Sequence, residues 1–234
     1  MNNVLIIVPS RKGSKGLKNK NKKIFCGKPL YYWPLKAAVD SKVASTIVLS
    51  TDDDEIIKNF SFFKDQIKII KRPKKYAEDN SSAYSYISHS LRELKKKNLF
   101  YKYLILIEPT SPLTDKSDII SVLKILKSNN TTSVVSVQKN IKYHPSFNYK
   151  ILKNNFLKSL NSKNNLRRQN ISQLFFLDGS IYASKVSSFI EHKSFIQIKT
   201  KPYFPPPHKF IEIDDKFDFQ LAEIIKKYYV ENKK

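Results

Sequence analysis

The chain is poor in several features, and each shortage excludes something. One cysteine, Cys26, stands among 234 residues. No intramolecular disulfide can form, and a reducing, cytoplasmic setting is the expected compartment. Nothing beside that thiol marks it as reactive, so it reads as a small packed apolar group. No apolar run approaches the roughly 20 residues that span a bilayer. The N-terminal stretch Val4-Leu5-Ile6-Ile7-Val8 stops at Pro9 and a basic loop, too early for a secretory signal and in keeping with a buried first strand. Glycine occurs 4 times, and neither G-x-x-x-x-G-K-[ST] nor G-x-G-x-x-G can be drawn through those positions. P-loop and dinucleotide-binding motifs therefore fail by pattern.

Acidic residues are also scarce, 20 against 43 basic ones, for a net charge of +23. Such an excess fits polyanions: nucleic acid, a membrane surface or phosphorylated substrates. The lysines, however, are scattered in pairs and triplets among Asn and Ile, and no RNP, KH or zinc-knuckle pattern accompanies them. Neither a nucleic-acid nor a membrane partner is expected. Apolar residues make up 41% of the chain, enough for a real core.

Strand and helix periods alternate through the first 138 residues. Strands are predicted at Val4–Val8, Thr46–Ser50, Ile67–Lys71, Tyr103–Ile107 and Ser133–Val137, with helices at Trp33–Ser41, Ser81–Lys97 and Asp118–Ser128. That alternation means βαβ units and a mostly parallel sheet, an α/β fold. One domain, 1–234, is expected, with an inserted arm at about 139–175, where the pattern dissolves into Lys, Asn and Ser. Gly179–Ala183, Phe195–Lys199 and Phe210–Ile213 read as further strands, and Lys216–Val230 as a closing amphipathic helix. Asp52, Asp53 and Asp54 precede Glu55-Ile56-Ile57 and read as helix-capping acids; Asp215 reads likewise before the last helix.

Ligands of open α/β sheets sit beyond the carboxyl ends of the strands. Pro9–Asn21, Ser50–Glu55 and Glu108–Thr114 all fall at such ends. The first holds Arg11-Lys12-Gly13-Ser14-Lys15-Gly16-Leu17-Lys18-Asn19-Lys20-Asn21. Two glycines three residues apart allow close backbone approach, and Arg11, Lys15 and Lys20 supply fixed positive charge for a triphosphate. Near the other end of the chain, Glu212 and Asp214 alternate with Ile211 and Ile213, which puts both carboxylates on one face of a strand. Alone, that describes a solvent-facing acidic edge as well as a Mg²⁺ site.

Taken in order, these pieces resemble the CMP-sugar synthetases, and within them the acylneuraminate cytidylyltransferases. The loop just quoted is followed by Gly27-Lys28-Pro29-Leu30; Ser50-Thr51-Asp52-Asp53; Arg72-Pro73 with Ala77 and Asp79; Pro109-Thr110-Ser111-Pro112-Leu113; His144-Pro145; Arg168-Gln169; Gly179-Ser180-Ile181-Tyr182; and Ile213-Asp214 with Asp218 and Ala222-Glu223. The resemblance implies a Rossmann-like nucleotidyltransferase fold of the GT-A kind. It implies that the anomeric hydroxyl of a nonulosonic acid attacks the α-phosphorus of CTP and expels pyrophosphate. Arg11, Lys15 and Lys20 would hold the phosphates, with Asn21 beside the ribose or α-phosphate. Arg72 and the Asp79–Ser82 stretch, Ser81 and Ser82 included, would frame cytosine and ribose. Glu108, Thr110 and Ser111 would fall on the sugar side. Asp214 and Glu212 would hold Mg²⁺ or Mn²⁺, the longer Glu212 through water where the family shows Asp-x-Asp. A homodimer is implied, its arm carrying Arg168 and Gln169 to the partner's sugar site. Arg11, Lys20 and Asp214 would be the catalytic residues.

Three departures bear on the sugar. Glu108 stands where the family usually has Gln, Thr114 where it has Arg, and Phe176 where a further Arg is frequent. An ionised Glu108 only accepts hydrogen bonds, so it should face a hydroxyl, an amide N–H or a cation, while Phe176 would offer an apolar wall. Together these favour a legionaminic-type sugar over N-acetylneuraminate; the alternative is that these side chains pack in the core and another Arg, such as Arg167 or Arg168, holds the sugar carboxylate. The competing readings are a CMP-Kdo-type enzyme and, from another class, a basic RNA-binding protein whose affinity would collapse with salt.

Overall fold

The computed structural model describes residues 3–14, 16–63, 65–140, 144–160 and 171–231. Its strands are β1 (Val4–Ser10), β2 (Ile24–Phe25), β3 (Lys28–Pro29), β4 (Thr46–Thr51), β5 (Ile67–Lys71), β6 (Tyr103–Ile107), β7 (Ser133–Asn140), β8 (Tyr149–Ile151), β9 (Leu157–Ser159), β10 (Leu174–Lys185) and β11 (Thr200–Tyr203). Its α-helices are α1 (Tyr32–Ser41), α2 (Asp54–Asn59), α3 (Ala83–Lys95), α4 (Lys116–Leu126), α5 (Val186–His192) and α6 (Lys216–Lys226). Seven strands form one sheet in the order β11-β7-β10-β6-β1-β4-β5. β6, β1, β4 and β5 run parallel, while β10 is antiparallel to both β6 and β7.

Every residue of β1 and of β4 is buried. A strand covered on both faces reads as a continuous apolar run, not an alternation, and Val4–Val8 is such a run. One face is covered by a core containing Leu35, Ile56, Ile119, Val122 and Leu126; the other packs Ile87, Leu94, Phe189 and Phe195 against Leu5, Ile7 and Leu106. A satellite core of Phe25, Leu30, Ile213 and Ala222, joined by Leu17 and Trp33, binds α6 to the loops after β1. Both capping expectations hold: the Asp53 side chain accepts from the Glu55 amide, and Asp215 forms a capping box with Asp218.

Two predicted strands are absent. Phe195–Lys199 is not a strand; Phe195 packs on Phe189 with ring centroids 4.7 Å apart, and the pairing with β7 begins only at Thr200. Phe210–Ile213 has no ladder either. Its alternation arises because Ile213 is buried in the satellite core and its amide makes one bond to the Thr110 carbonyl, 2.8 Å. At the base of the segment expected as an arm, β7 continues to Asn140 and pairs there with Leu174 of β10. Described within it are a short 3-10 turn at Pro145–Phe147 and the β8–β9 hairpin, with Tyr149, Ile151, Phe156 and Leu157 all exposed.

Candidate active site

Because β1, β4, β5 and β6 are parallel, their carboxyl ends share one edge of the sheet, and Arg11, Asp52, Arg72 and Glu108 each follow one of these ends directly. Beyond that edge lies a cleft of about 450 Å³. Of the residues singled out in the sequence, Arg11, Lys20, Asn21, Arg72, Asp79, Ser81, Glu108, Thr110, Glu212 and Asp214 line it. Lys15, Arg168 and Gln169 lie outside the described residues. Ser111 is buried under the loop, 1% exposed, with no partner for its hydroxyl among the described residues. Ser82 begins α3 and borders a separate apolar cavity of about 300 Å³ walled by Tyr182, Phe189 and Phe195, which shares Glu108 with the main cleft. Phe176 packs on Phe210, ring centroids 5.1 Å apart, and lines neither cavity, so the apolar sugar wall expected from it is not formed there.

One wall of the cleft is cationic. Lys20 donates to the Ile213 carbonyl and lies 3.1 Å from Asp214 Oδ1. Arg11 Nη1 is 2.7 Å from Asp79 Oδ1, both at the cleft. The Asn21 side chain, 8% exposed, donates to the Arg11 carbonyl and fixes the loop from beneath. Gly16 is required by contact: a Cβ there would come 2.5 Å from the Asp214 carbonyl oxygen. The loop and the acidic segment are thus packed backbone to backbone.

Arg72 is 3% exposed, so its charge is used inside the protein. Its Nη2 donates to the Ser50 carbonyl at 2.9 Å, and its guanidinium lies 4.2 Å from the centre of the Tyr86 ring. Burial depresses its pKa. Tyr86 was missed in the sequence. Its signal is faint, a lone aromatic hydroxyl on the buried side of α3 beside Ile87, Ser90 and Leu94.

The other wall is acidic. The Tyr86 hydroxyl lies 3.5 Å from Glu108 Oε1. Burial pushes Glu108 up to about 7, with Arg72 opposing and Glu212 adding to the rise. Glu212 is also raised, by burial first and by Asp214 second. Tyr182 is pushed up to about 12 by burial, then by Glu108 and Glu212. A site crowded with carboxylates calls for a cation, and a neutral Glu108 can donate a hydrogen bond as an amide does.

A family model described as cytidylyltransferase matches residues 5–226. The chain is 28% identical over 227 residues to an N-acylneuraminate cytidylyltransferase of Escherichia coli O18:K1:H7, covering 94% of this chain and 51% of that protein. It is 29% identical over 231 residues to a CMP-N,N'-diacetyllegionaminic acid synthase of Legionella pneumophila, 94% of each chain being covered. It therefore spans about half the length of the first relative and nearly all of the second. Among solved structures it superposes on a CMP:2-keto-3-deoxy-manno-octonic acid synthetase complexed with CTP, TM-score 0.68, over 97% of this chain and 99% of that one. At 12% identity that likeness is one of fold.

Proposed function

The chain belongs to the cytidylyltransferase family, and from that premise we propose that it transfers CMP from CTP to the anomeric hydroxyl of a nonulosonic acid, yielding a CMP-sugar for surface glycan synthesis and pyrophosphate. The observation that carries this reading is the meeting of a cationic and an acidic wall in one cleft, joined where Lys20 touches Asp214. Arg11 and Lys20 are placed to neutralise charge building on the leaving pyrophosphate, and Asn21 holds their loop. Arg72, fixed by Ser50 and Tyr86, supports the nucleotide side. Glu108 and Thr110 border the sugar side. No covalent enzyme intermediate is needed; positioning and fixed charge carry the rate.

The acidic wall fits magnesium or manganese. Glu212 and Asp214 offer oxygen donors only, and among the described residues no group of three or more His, Cys, Asp or Glu forms a closed metal cage. Mg²⁺ suits such a site, since it takes one or two carboxylates and fills its remaining positions with phosphate oxygens and water. Asp214 and Glu212 would hold it, and when bound it neutralises phosphate charge and lowers the pKa of the attacking hydroxyl. The exposed apolar face of the β8–β9 hairpin supports a homodimer in which this arm lies against a second copy. No described helix is long and apolar enough to cross a membrane. The single cysteine supports a reducing, cytoplasmic setting.

The test is pyrophosphate release from CTP across a panel of nonulosonic acids that includes N-acetylneuraminate and a diacetylated legionaminic acid, with Kdo as the contrasting eight-carbon acid. Release with a nine-carbon acid, abolished by EDTA, is expected; release with Kdo alone overturns the sugar class. Asp214→Ala should lose activity while staying folded, because that side chain is 77% exposed. Full activity in Asp214→Ala would sink the metal assignment.

A further inference from the structure

The register of β10 against β7 slips between Leu177 and Tyr182. Such a bulge re-aims side chains beside functional sites, and here it is held by a buried polar cluster that the proposed chemistry does not use. Asp178 is 3% exposed, Ser136 is fully buried, and Ser180 is 6% exposed. Asp178 Oδ1 accepts from the Ser180 amide at 3.0 Å, from the Ser180 hydroxyl at 2.8 Å and from the Ser136 hydroxyl. Ser136 in turn accepts from the Ile181 amide at 3.1 Å. The second carboxylate oxygen, Oδ2, is buried with no partner among the described residues. A buried carboxyl group with one oxygen unpartnered calls for an explanation beyond packing.

What the cluster holds in place is the acidic wall. Gly179 has φ +76°, and a Cβ there would lie 2.9 Å from Glu212 Oε2, so the Glu212 carboxylate rests on the bare backbone of the bulge. The next residue, Ser180, accepts the Glu108 amide through its carbonyl at 3.2 Å. Glu212 and Glu108 are 104 positions apart in the chain (212 − 108), yet both take their position from consecutive residues of one bulge.

We propose that Asp178, through its bonds to Ser136 and Ser180, is a positioning residue that fixes Glu212 and Glu108 at the spacing the cation and sugar require. This rests on the cytidylyltransferase reading above. Outer partners of metal-holding groups commonly change metal affinity or activity by about 10–100-fold when removed, and that range is expected here.

The experiment uses the full chain and two readouts. Mn²⁺ binding in the presence of CTP is followed by loss of the free-ion EPR signal, and kcat/KM by pyrophosphate release. Asp178→Ala should weaken Mn²⁺ binding and lower kcat/KM by about 10–100-fold, with CTP affinity in the absence of metal unchanged. Asp178→Asn retains the Oδ1 acceptor and should restore both to within roughly 3-fold of wild type, inside the usual scatter for one neutral hydrogen bond. Gly179→Ala, which presses on the Glu212 carboxylate and strains the bulge backbone at φ +76°, should show the same loss of Mn²⁺ affinity and serves if Asp178→Ala does not fold. Wild-type Mn²⁺ affinity in Asp178→Ala or Gly179→Ala overturns the inference, as does an equal loss of metal-free CTP affinity. The Mn²⁺ readout does not need turnover. Absence of pyrophosphate release by the wild type with any sugar would count against the proposed function, and unchanged Mn²⁺ binding in the variants against this inference alone.

Discussion

The two walls of the cleft are built in opposite ways. The cationic wall comes mainly from one local segment, residues 11–21, in which Arg11, Lys20 and Asn21 are neighbours in sequence before they are neighbours in space. The acidic wall is assembled from three distant segments: Glu108 after β6, the bulge at Asp178–Ser180 in β10, and Glu212 with Asp214 before α6. A local loop is specified by its own residues. A composite wall depends on sheet register, so a fault in any one strand disturbs all of it.

That contrast can be broken from the cationic side first. Lys20→Ala removes a donor whose side chain is only 12% exposed, and it should lower transition-state stabilisation by about 2–4 kcal/mol, the scale of losing one preorganised donor. Arg11 is more open, at 35%, and its alanine variant should fall toward the lower end of that range. Normal kcat/KM in both variants would reduce the loop to a solvated one.

From the acidic side, Glu108→Gln sharpens the comparison through pH. The folded protein holds the Glu108 proton to about 7, against an ordinary value of 4.5. Between those values the folded state binds more protons than the unfolded one, so stability falls as pH rises. The full effect is on the order of 3 kcal/mol, at 1.36 kcal/mol per unit. Glu108→Gln should be more stable than wild type at pH 8, and this gain should vanish near pH 4.5; melting temperatures at the two pH values decide it. A constant gap between the proteins would mean that folding does not raise the Glu108 pKa.

The smallest effect is expected from Tyr86→Phe. The ring over Arg72 stays, and only a hydroxyl 3.5 Å from Glu108 is lost. CTP KM should be unchanged and kcat/KM altered by less than about 1 kcal/mol, since the bond is long. A large rise in CTP KM would show that the hydroxyl, not the ring, orders the nucleotide side.

Legibility in the sequence follows the same division. The parallel strands and the caps at Asp53 and Asp215 rest on local signals, and the structure forms each of them; the loop at residues 11–21 is local too, and its Arg11, Lys20 and Asn21 line the cleft. Phe195–Lys199 and Phe210–Ile213 misled because alternation does not require a ladder. Phe195 and Ile213 are simply single apolar residues entering different cores. Tyr86 and Asp178 were invisible for a different reason: each acts on partners far along the chain. Nothing at residue 178 shows that Ser136 will lie beneath it, or that Glu212 will rest beside it.

The contact between Lys20 and Asp214 has a further consequence, for the order in which ligands arrive. In the free cleft each group is the other's counter-ion, at 3.1 Å. An anion that captures Lys20 releases a carboxylate, and a cation that captures Asp214 releases an ammonium. Whichever ligand comes first removes the partner that competes with the second, so the two affinities are bound to rise together and by the same factor. On the proposed function those ligands are the nucleotide and the metal, which would then bind cooperatively. A titration of each in the presence of the other would read that coupling directly, and Lys20→Ala should weaken it, leaving the part carried by direct contact between the metal and the phosphates.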